Sequence, residues 1–342
     1  MTGYLLHADA DSFFASVVMR SRPELRMRPF AVVAHVFIAS ANYPARERGV
    51  RAAMLAAEAQ RICPGLVLVD VPQAEVEETS DALMDLFGEF GAVEPGSMEE
   101  AFLDVGASTA DAAAAAGAEL RRRASTELSL SVSVGVGRSK LMAKLGSRAA
   151  KPDGLHVVGV EEEASLRDEL PIGDVWGIGR RTRERLADLG VHRLDDVDAI
   201  DRDELARACG TGMARRLWAI RAGADDATVR PVDERATLSA ELAAAGYNRR
   251  DWRTEEMLER CVARVCRRAS RAGLVANGLT IALRQGDTVV ALKTGLPDAT
   301  ADPVAWLEAA HPLLGPAHHN AAGLRVTLTS LRTAAAEAAM LF

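Results

Sequence analysis

The sequence predicts an α+β protein of several domains, and three observations carry that prediction. Residues 1–165 alternate short apolar strands with amphipathic helices, residues 166–224 change to short helices separated by glycine turns, and residues 241–342 return to a long amphipathic helix followed by strands. At 342 residues the length suits two domains or more. Apolar residues make up 49% of the chain, ample for a core. No run approaches the 18 apolar residues of a membrane span, and the start does not read as an export signal, so a cytoplasmic protein with no membrane partner is expected.

In order, Tyr4 to Ala8 reads as a strand, and Asp11-Ser12 begins a helix running to about Arg20. Strands at Pro29 to His35 and Phe37 to Ala41 share a short connection. A helix from about Ala52 to Ile62 ends at Pro64, and Leu66 to Val71 is a further strand. The Gln73 to Phe90 segment places Val76, Leu83, Phe87 and Phe90 on one helical face. Ala92-Val93 and Ala101 to Val105 form a hairpin whose near end presents Glu99 and Glu100, before helix 108–126, strand 130–136 and helix 139–150. Residues 225–240 are polar and weakly periodic, and read as a linker. Helix 254–272 then puts Leu258, Cys261, Val262, Val265 and Ala269 inward, with Arg260, Arg264, Arg267, Arg268 and Arg271 on the other side, a basic stripe open to a DNA-binding or a solvated reading. Strands at Leu279 to Leu283, Val289 to Lys293 and Leu324 to Leu328 complete the chain.

Two segments carry chemistry. Leu5-Leu6-His7-Ala8-Asp9-Ala10-Asp11 and Ser97-Met98-Glu99-Glu100-Ala101-Phe102-Leu103-Asp104 both set carboxylates at the end of an apolar strand. An ionised carboxylate in apolar surroundings costs several kcal/mol unless a charge compensates it, and a divalent cation is one such charge. Mg²⁺ suits, because it takes one or two carboxylates and completes its shell with substrate phosphates and water. Each segment alone also has a plain reading, the first as a turn or helix N-cap and the second as a solvated acidic pair.

Four ordered motifs resemble those of the Y-family (translesion) DNA polymerases. His7-Ala8-Asp9-Ala10-Asp11-Ser12-Phe13-Phe14-Ala15 is similar to the family's His-Val-Asp-Met-Asp-x-Phe-Phe-Ala. The run from Ala41-Asn42-Tyr43-Pro44-Ala45-Arg46 through Gly49-Val50-Arg51 to Met54 is similar to its second motif. Ser97 to Asp104 matches Ser-x-Asp-Glu-Ala-Tyr-Leu-Asp with Glu99 in place of Asp, and Gly135 to Lys144 with Lys151-Pro152-Asp153-Gly154 matches the fourth.

The resemblance implies a right-hand polymerase with a ferredoxin-like palm (1–10 and 72–165), small fingers (11–71), a helical thumb with a helix-hairpin-helix (166–224), a linker (225–240) and an α/β little finger with a C-terminal tail (241–342). It further implies low-fidelity, template-directed nucleotide addition to a primer 3′-hydroxyl with two Mg²⁺ ions, Mn²⁺ being able to substitute. The chain leaves no length for a proofreading exonuclease. Asp9, Glu99 and Glu100 would hold the metals, with an oxygen from the Ala10 carbonyl, and Glu100 would be central to activating the hydroxyl. Tyr43, Arg46 and Lys151 would bind the deoxynucleoside triphosphate. Phe14 matches the steric gate against a 2′-hydroxyl, while Phe13 fits a core position better.

Primer-template DNA is the implied macromolecular partner. In Val175-Trp176-Gly177-Ile178-Gly179 the glycines Gly177 and Gly179 let backbone N–H groups approach a phosphate, reinforced by Arg180, Arg181 and Arg183. Gly210-Thr211-Gly212 is a weaker second turn of that kind. Arg284 and Lys293 are candidate phosphate contacts on the last sheet. The net charge of −7 is unusual for such a partner, yet it divides as −7 over residues 1–165, −2 over 166–240 and +2 over 241–342, so the acidity lies where cations would bind.

Departures from the family pattern are Glu99, a short connection before Ser40, and a C-terminus, Ala338-Ala339-Met340-Leu341-Phe342, that only partly resembles the Gln-Leu-x-Leu-Phe peptide docking on the sliding clamp. Leu341 and Phe342 remain as apolar anchors for weak clamp binding, and a monomer is expected. A catalytically impaired DNA-binding accessory with the same fold is the alternative. Cys63, Cys209, Cys261 and Cys266 have no C-x-x-C pairing and read as reduced core residues, and His318-His319 lacks ligand-spaced companions.

Overall fold

The computed structural model describes residues 3–226, 228–231, 236–244 and 252–334. Its first elements are β1 (Tyr4–Ala10), α1 (Phe13–Ser21), β2 (Phe30–Ala34), β3 (Phe37–Ala41), α2 (Tyr43–Arg46), α3 (Ala56–Ile62) and β4 (Val67–Asp70). Then come α4 (Gln73–Gly88), β5 (Ala92–Pro95), β6 (Glu100–Ala107), α5 (Ala110–Leu128), β7 (Val132–Gly137), α6 (Lys140–Ala150) and β8 (Leu155–Val157). Four helices follow, α7 (Val160–Glu169), α8 (Arg180–Asp188), α9 (Arg202–Cys209) and α10 (Thr211–Arg221). The last elements are β9 (Thr237–Ala243), α11 (Thr254–Arg271), β10 (Leu274–Gln285), β11 (Thr288–Thr300), α12 (Pro303–Ala310) and β12 (Gly323–Thr333). Internal contacts divide the chain into two units, Met1–Asp11 with Glu77–Val229, and Ser12–Val76 with Arg230–Phe342.

In the first unit a five-stranded sheet has the order β5-β6-β1-β7-β8. β1 lies antiparallel to both β6 and β7, and β7 parallel to β8. The hairpin of β5 and β6 is the one expected from sequence, with Ala92 opposite Asp104. All of β7 is buried, and its glycines explain how close a helix comes. A Cβ on Gly135 would lie 2.0 Å from both the Ala143 carbonyl oxygen and the Ser147 nitrogen, so α6 seats directly on this strand. Gly135 is also the cross-strand partner of His7. Capping fixes the helix starts, since the Thr109 hydroxyl accepts from the Ala112 N–H and the Ser139 hydroxyl from that of Met142. The helices α7–α10 share a core of Leu170, Ile172, Val175, Leu186 and Leu217, which Leu141 and Met142 of α6 join.

The second unit contains two sheets. In one, β2 pairs antiparallel with β3 and parallel with β4. The Asn42 side chain accepts from the Phe30 and Ala45 N–H groups and donates to the Arg28 carbonyl at 2.8 Å, which caps α2 and orients the Tyr43-to-Arg46 turn. α3 starts at Ala56 rather than about Ala52, because Ala53 is left-handed (φ 66°) and Ala53 and Met54 pair with Ile38 instead. The other sheet is antiparallel throughout, ordered β11-β10-β12-β9. The predicted apolar face of α11 packs on it with Leu279, Ile281, Leu283 and Trp306.

Three expectations change here. The linker ends before Thr237, where β9 begins, and the alternation of exposed and buried residues along Thr237–Ala243 is a strand signature. α12 was not expected, although Asp302 and Pro303 form a standard start, the Asp302 carboxylate accepting from the Val304 N–H. The arginine stripe of α11 is not simply solvated. Arg264 and Arg268 donate to the Glu241 and Ser239 carbonyls of β9, the edge strand, and Arg260 lies over the Trp252 ring at 4.6 Å. The cysteines are free thiols, three of them buried. Among the described residues no helix is long and apolar enough to cross a membrane.

Candidate active site

The antiparallel register of β1 and β6 sets Asp9 opposite Glu100, closing a gap of about ninety residues in sequence. The Ala10 N–H donates to the Glu99 carbonyl at 2.9 Å, which ties the strand ends together. Each carboxylate faces a lysine. Lys151 Nζ is 2.5 Å from Asp9 Oδ1, and Lys144 Nζ is 2.5 Å from Glu100 Oε2. Ligand atoms of His7, Asp9 and Glu100 all lie within 4.8 Å of one another. Glu99 occupies the bend before β6 and is not one of those three residues.

His7, which sequence reasoning left without a role, is fully buried and connects this cluster to α6. Its Nδ1 is 2.7 Å from the Ser147 hydroxyl, which itself donates to the Lys144 carbonyl at 2.9 Å. Lys144 bridges Nε2, at 3.4 Å, and Glu100. Burial lowers the His7 pKa, helped by the Lys144 charge and opposed by Glu100, in keeping with a neutral ring. Burial pushes the Glu100 carboxyl up, but hydrogen bonds with His7 and Lys144 and the Lys144 charge outweigh it and bring the pKa down to about 2. Glu100 is therefore ionised at any pH near neutrality.

Asp11 was expected only to start a helix; instead it is a buried anchor. Its carboxylate accepts from the Ser131 and Ser133 hydroxyls at 2.9 and 3.0 Å and from the Asp153 N–H at 2.8 Å, fastening the end of β1 to β7 and to the Lys151-to-Asp153 loop. The lone clue in sequence was the second acid of Asp-x-Asp. Asp11→Ala would strand those donors, so a loss of about 3 kcal/mol is expected, read as a lower urea midpoint at constant m.

Before α8, Gly177 has φ 94°, and Gly179 is the N-cap without a side chain to occupy the first N–H groups. Arg180 is exposed and pairs at 3.3 Å with Glu184. The Trp176 ring in this turn is centred 5.9 Å from that of Phe102 and 6.0 Å from Lys144 Nζ, so the turn lies beside the lysine that pairs with Glu100. Gly210 is likewise left-handed and caps α10. In the second unit, Phe13 is fully buried and Phe14 only partly. The Arg46 guanidinium lies 5.5 Å from the Tyr43 ring centre and donates to the Ala41 carbonyl. Arg284 and Lys293 stand on β10 and β11. His319 pairs with Glu255, and His318 accepts from the Gly315 N–H, which gives both structural work. Leu341 and Phe342 lie outside the described residues.

A family model described as the impB/mucB/samB family matches residues 8–148, an IMS family HHH motif matches 168–191, and the impB/mucB/samB family C-terminal domain matches 246–341. DNA polymerase IV of Alkalilimnicola ehrlichii is 34% identical over 313 residues, covering 88% of this chain and 87% of that protein. The chain belongs to the Y family of DNA polymerases. Among solved Y-family structures, an insertion ternary complex of Dbh DNA polymerase superposes with a TM-score of 0.74 at 21% identity, covering 96% of this chain and 99% of that one. A Y-family chimera, Dbh-Dpo4(243-245)-Dbh, gives 0.72 at 22% with the same coverage. These likenesses carry the fold, that of a right-hand polymerase, and the helix-hairpin-helix match at 168–191 spans the end of α7, the glycine turn and α8.

Proposed function

We propose that this Y-family polymerase performs low-fidelity, translesion DNA synthesis, adding deoxynucleotides to a primer 3′-hydroxyl with two divalent ions. The observation that carries the reading is the cross-strand pair Asp9 and Glu100, each held by a lysine. Such hard oxygen donors fit Mg²⁺, with Mn²⁺ as a substitute. Asp9, Glu99 and Glu100, with the Ala10 carbonyl, are the groups that would hold the ions, which supply charge stabilisation at the attacking and leaving oxygens. Glu100, ionised at working pH, helps the primer hydroxyl lose its proton. Lys151, Tyr43 and Arg46 bind and neutralise the triphosphate, and Phe14 excludes ribose. Gly177, Gly179, Arg180 and Arg181 take one stretch of duplex backbone, and Arg284 and Lys293 another. The palm, fingers, thumb and little finger divide near residues 11, 72, 166 and 237. Leu341 and Phe342 dock weakly on a sliding clamp, and the protein works as a monomer. Primer extension with Mg²⁺ and with Mn²⁺ tests the reading, and a folded, DNA-binding chain inert with both would overturn it.

That inert outcome is the second reading, a DNA-binding accessory, which the position of Glu99 outside the Asp9 and Glu100 cluster favours. Glu99 keeps its charge but carries one more methylene than the family's Asp, and misplacement of about 1 Å costs up to roughly 10²-fold in rate. The expected result is a slow polymerase relatively favoured by Mn²⁺, whose Mg²⁺-dependent rate rises in Glu99→Asp. A slower Glu99→Asp enzyme would mean that the backbone is already adjusted to glutamate. For the gate, Phe14→Ala is expected to raise ribonucleotide incorporation by about tenfold or more, on the scale of a lost steric contact. Unchanged sugar discrimination in that variant would leave Phe14 as a packing residue.

A further inference from the structure

The face of the four-stranded sheet turned away from α11 carries a charge arrangement that sequence reasoning did not foresee. Cross-strand register aligns Arg325 of β12 with Glu241 of β9. Arg325 directs Nε and Nη2 to Glu241 Oε2 at 2.9 and 2.5 Å. Arg284 of β10 reaches the other oxygen, Oε1, at 3.2 Å. It does so across Gly323, its cross-strand partner, where an added Cβ would sit 4.0 Å from Arg284 Nε. One glutamate therefore engages both arginines, one through each carboxylate oxygen. All three side chains are about half exposed, at 42% for Glu241, 58% for Arg284 and 55% for Arg325.

We propose that Glu241 is a built-in competitor for the DNA backbone, occupying Arg284 and Arg325 as a phosphate would and so restraining the chain's hold on primer-template. The proposal rests on the polymerase reading above. A carboxylate and a phosphate oxygen ask the same of a guanidinium, two planar N–H donors and a positive charge. Exposed pairs of this kind contribute at most about fivefold each to an equilibrium, so a phosphate displaces the carboxylate readily but binds more weakly for having to do so. The displaced Glu241 then remains beside the backbone as a like charge. Lys293, on the row that Thr280 and Thr327 continue, lies outside this arrangement and is unaffected.

The test is equilibrium binding of the full chain to a fluorescent primer-template at several salt concentrations, without nucleotide. Glu241→Gln keeps the shape and removes the charge. It is expected to tighten binding by about three- to tenfold at 0.1 M salt and to steepen the plot of log K against log salt by about one to two, since each phosphate contact adds about 0.9 to the slope. The gain should vanish in the triple variant Glu241→Gln, Arg284→Ala, Arg325→Ala, with thermal unfolding showing that each variant is folded. Unchanged affinity and slope in Glu241→Gln would overturn the proposal, as would a gain that survives loss of both arginines. A folded wild-type chain that does not bind primer-template would overturn the polymerase reading and the proposal with it.

Discussion

Asp9→Ala or Glu100→Ala is expected to lower nucleotide addition by about 10³-fold or more, some 4 kcal/mol in the barrier, because each removes one of the two acids that meet across β1 and β6. Affinity for primer-template should stay within a few-fold, since neither acid offers DNA a favourable charge. Single-turnover extension against DNA binding, measured on the same preparations, separates the two effects. Both variants also leave a lysine without its partner. Lys144 keeps a contact with His7, so Glu100→Ala should remain folded with a nearly unchanged melting temperature. Synthesis at the wild-type rate in either variant would refute the assignment of these carboxylates.

Gly135→Ala is expected to have the largest effect on the fold. A methyl group at that position meets the Ala143 oxygen and the Ser147 nitrogen at 2.0 Å, both backbone atoms that no rotamer change can move. α6 must lift from β7, and overpacking of this severity costs about 3 kcal/mol or more. The displacement also carries Lys144 and Ser147 away from His7 and Glu100, so whatever protein remains folded should be slow. Urea denaturation reads the first effect and extension by the folded fraction the second. An unchanged midpoint would show that the strand and helix are not in the close register described here.

The two strand ends that bear Asp9 and Glu100, the glycine turn before α8 and the apolar face of α11 were all legible in the sequence, because each is a local pattern. What escaped is non-local. His7 gains its meaning from Gly135 beside it and Ser147 above it, residues well over a hundred positions away. Asp11 resembles any helix-starting acid until β7 supplies its hydroxyl donors. The α11 arginines look like a solvated stripe because the carbonyls they cover belong to another strand. β9 is a different case, since its period of two was present, but alanines and polar residues made it faint.

The lysine partners of Asp9 and Glu100 also bear on how the protein is assembled. Acids at the end of a sheet repel one another, and a fold that needed dissolved cations to quiet them would collapse in their absence. Here the chain supplies its own cations, one from α6 and one from the loop after it. Newly made protein is therefore expected to withstand a chelating buffer unchanged in shape, as circular dichroism with and without chelator would read. On the proposed reading, metal loading would be a swap of one positive charge for another, open to adjustment by ionic strength.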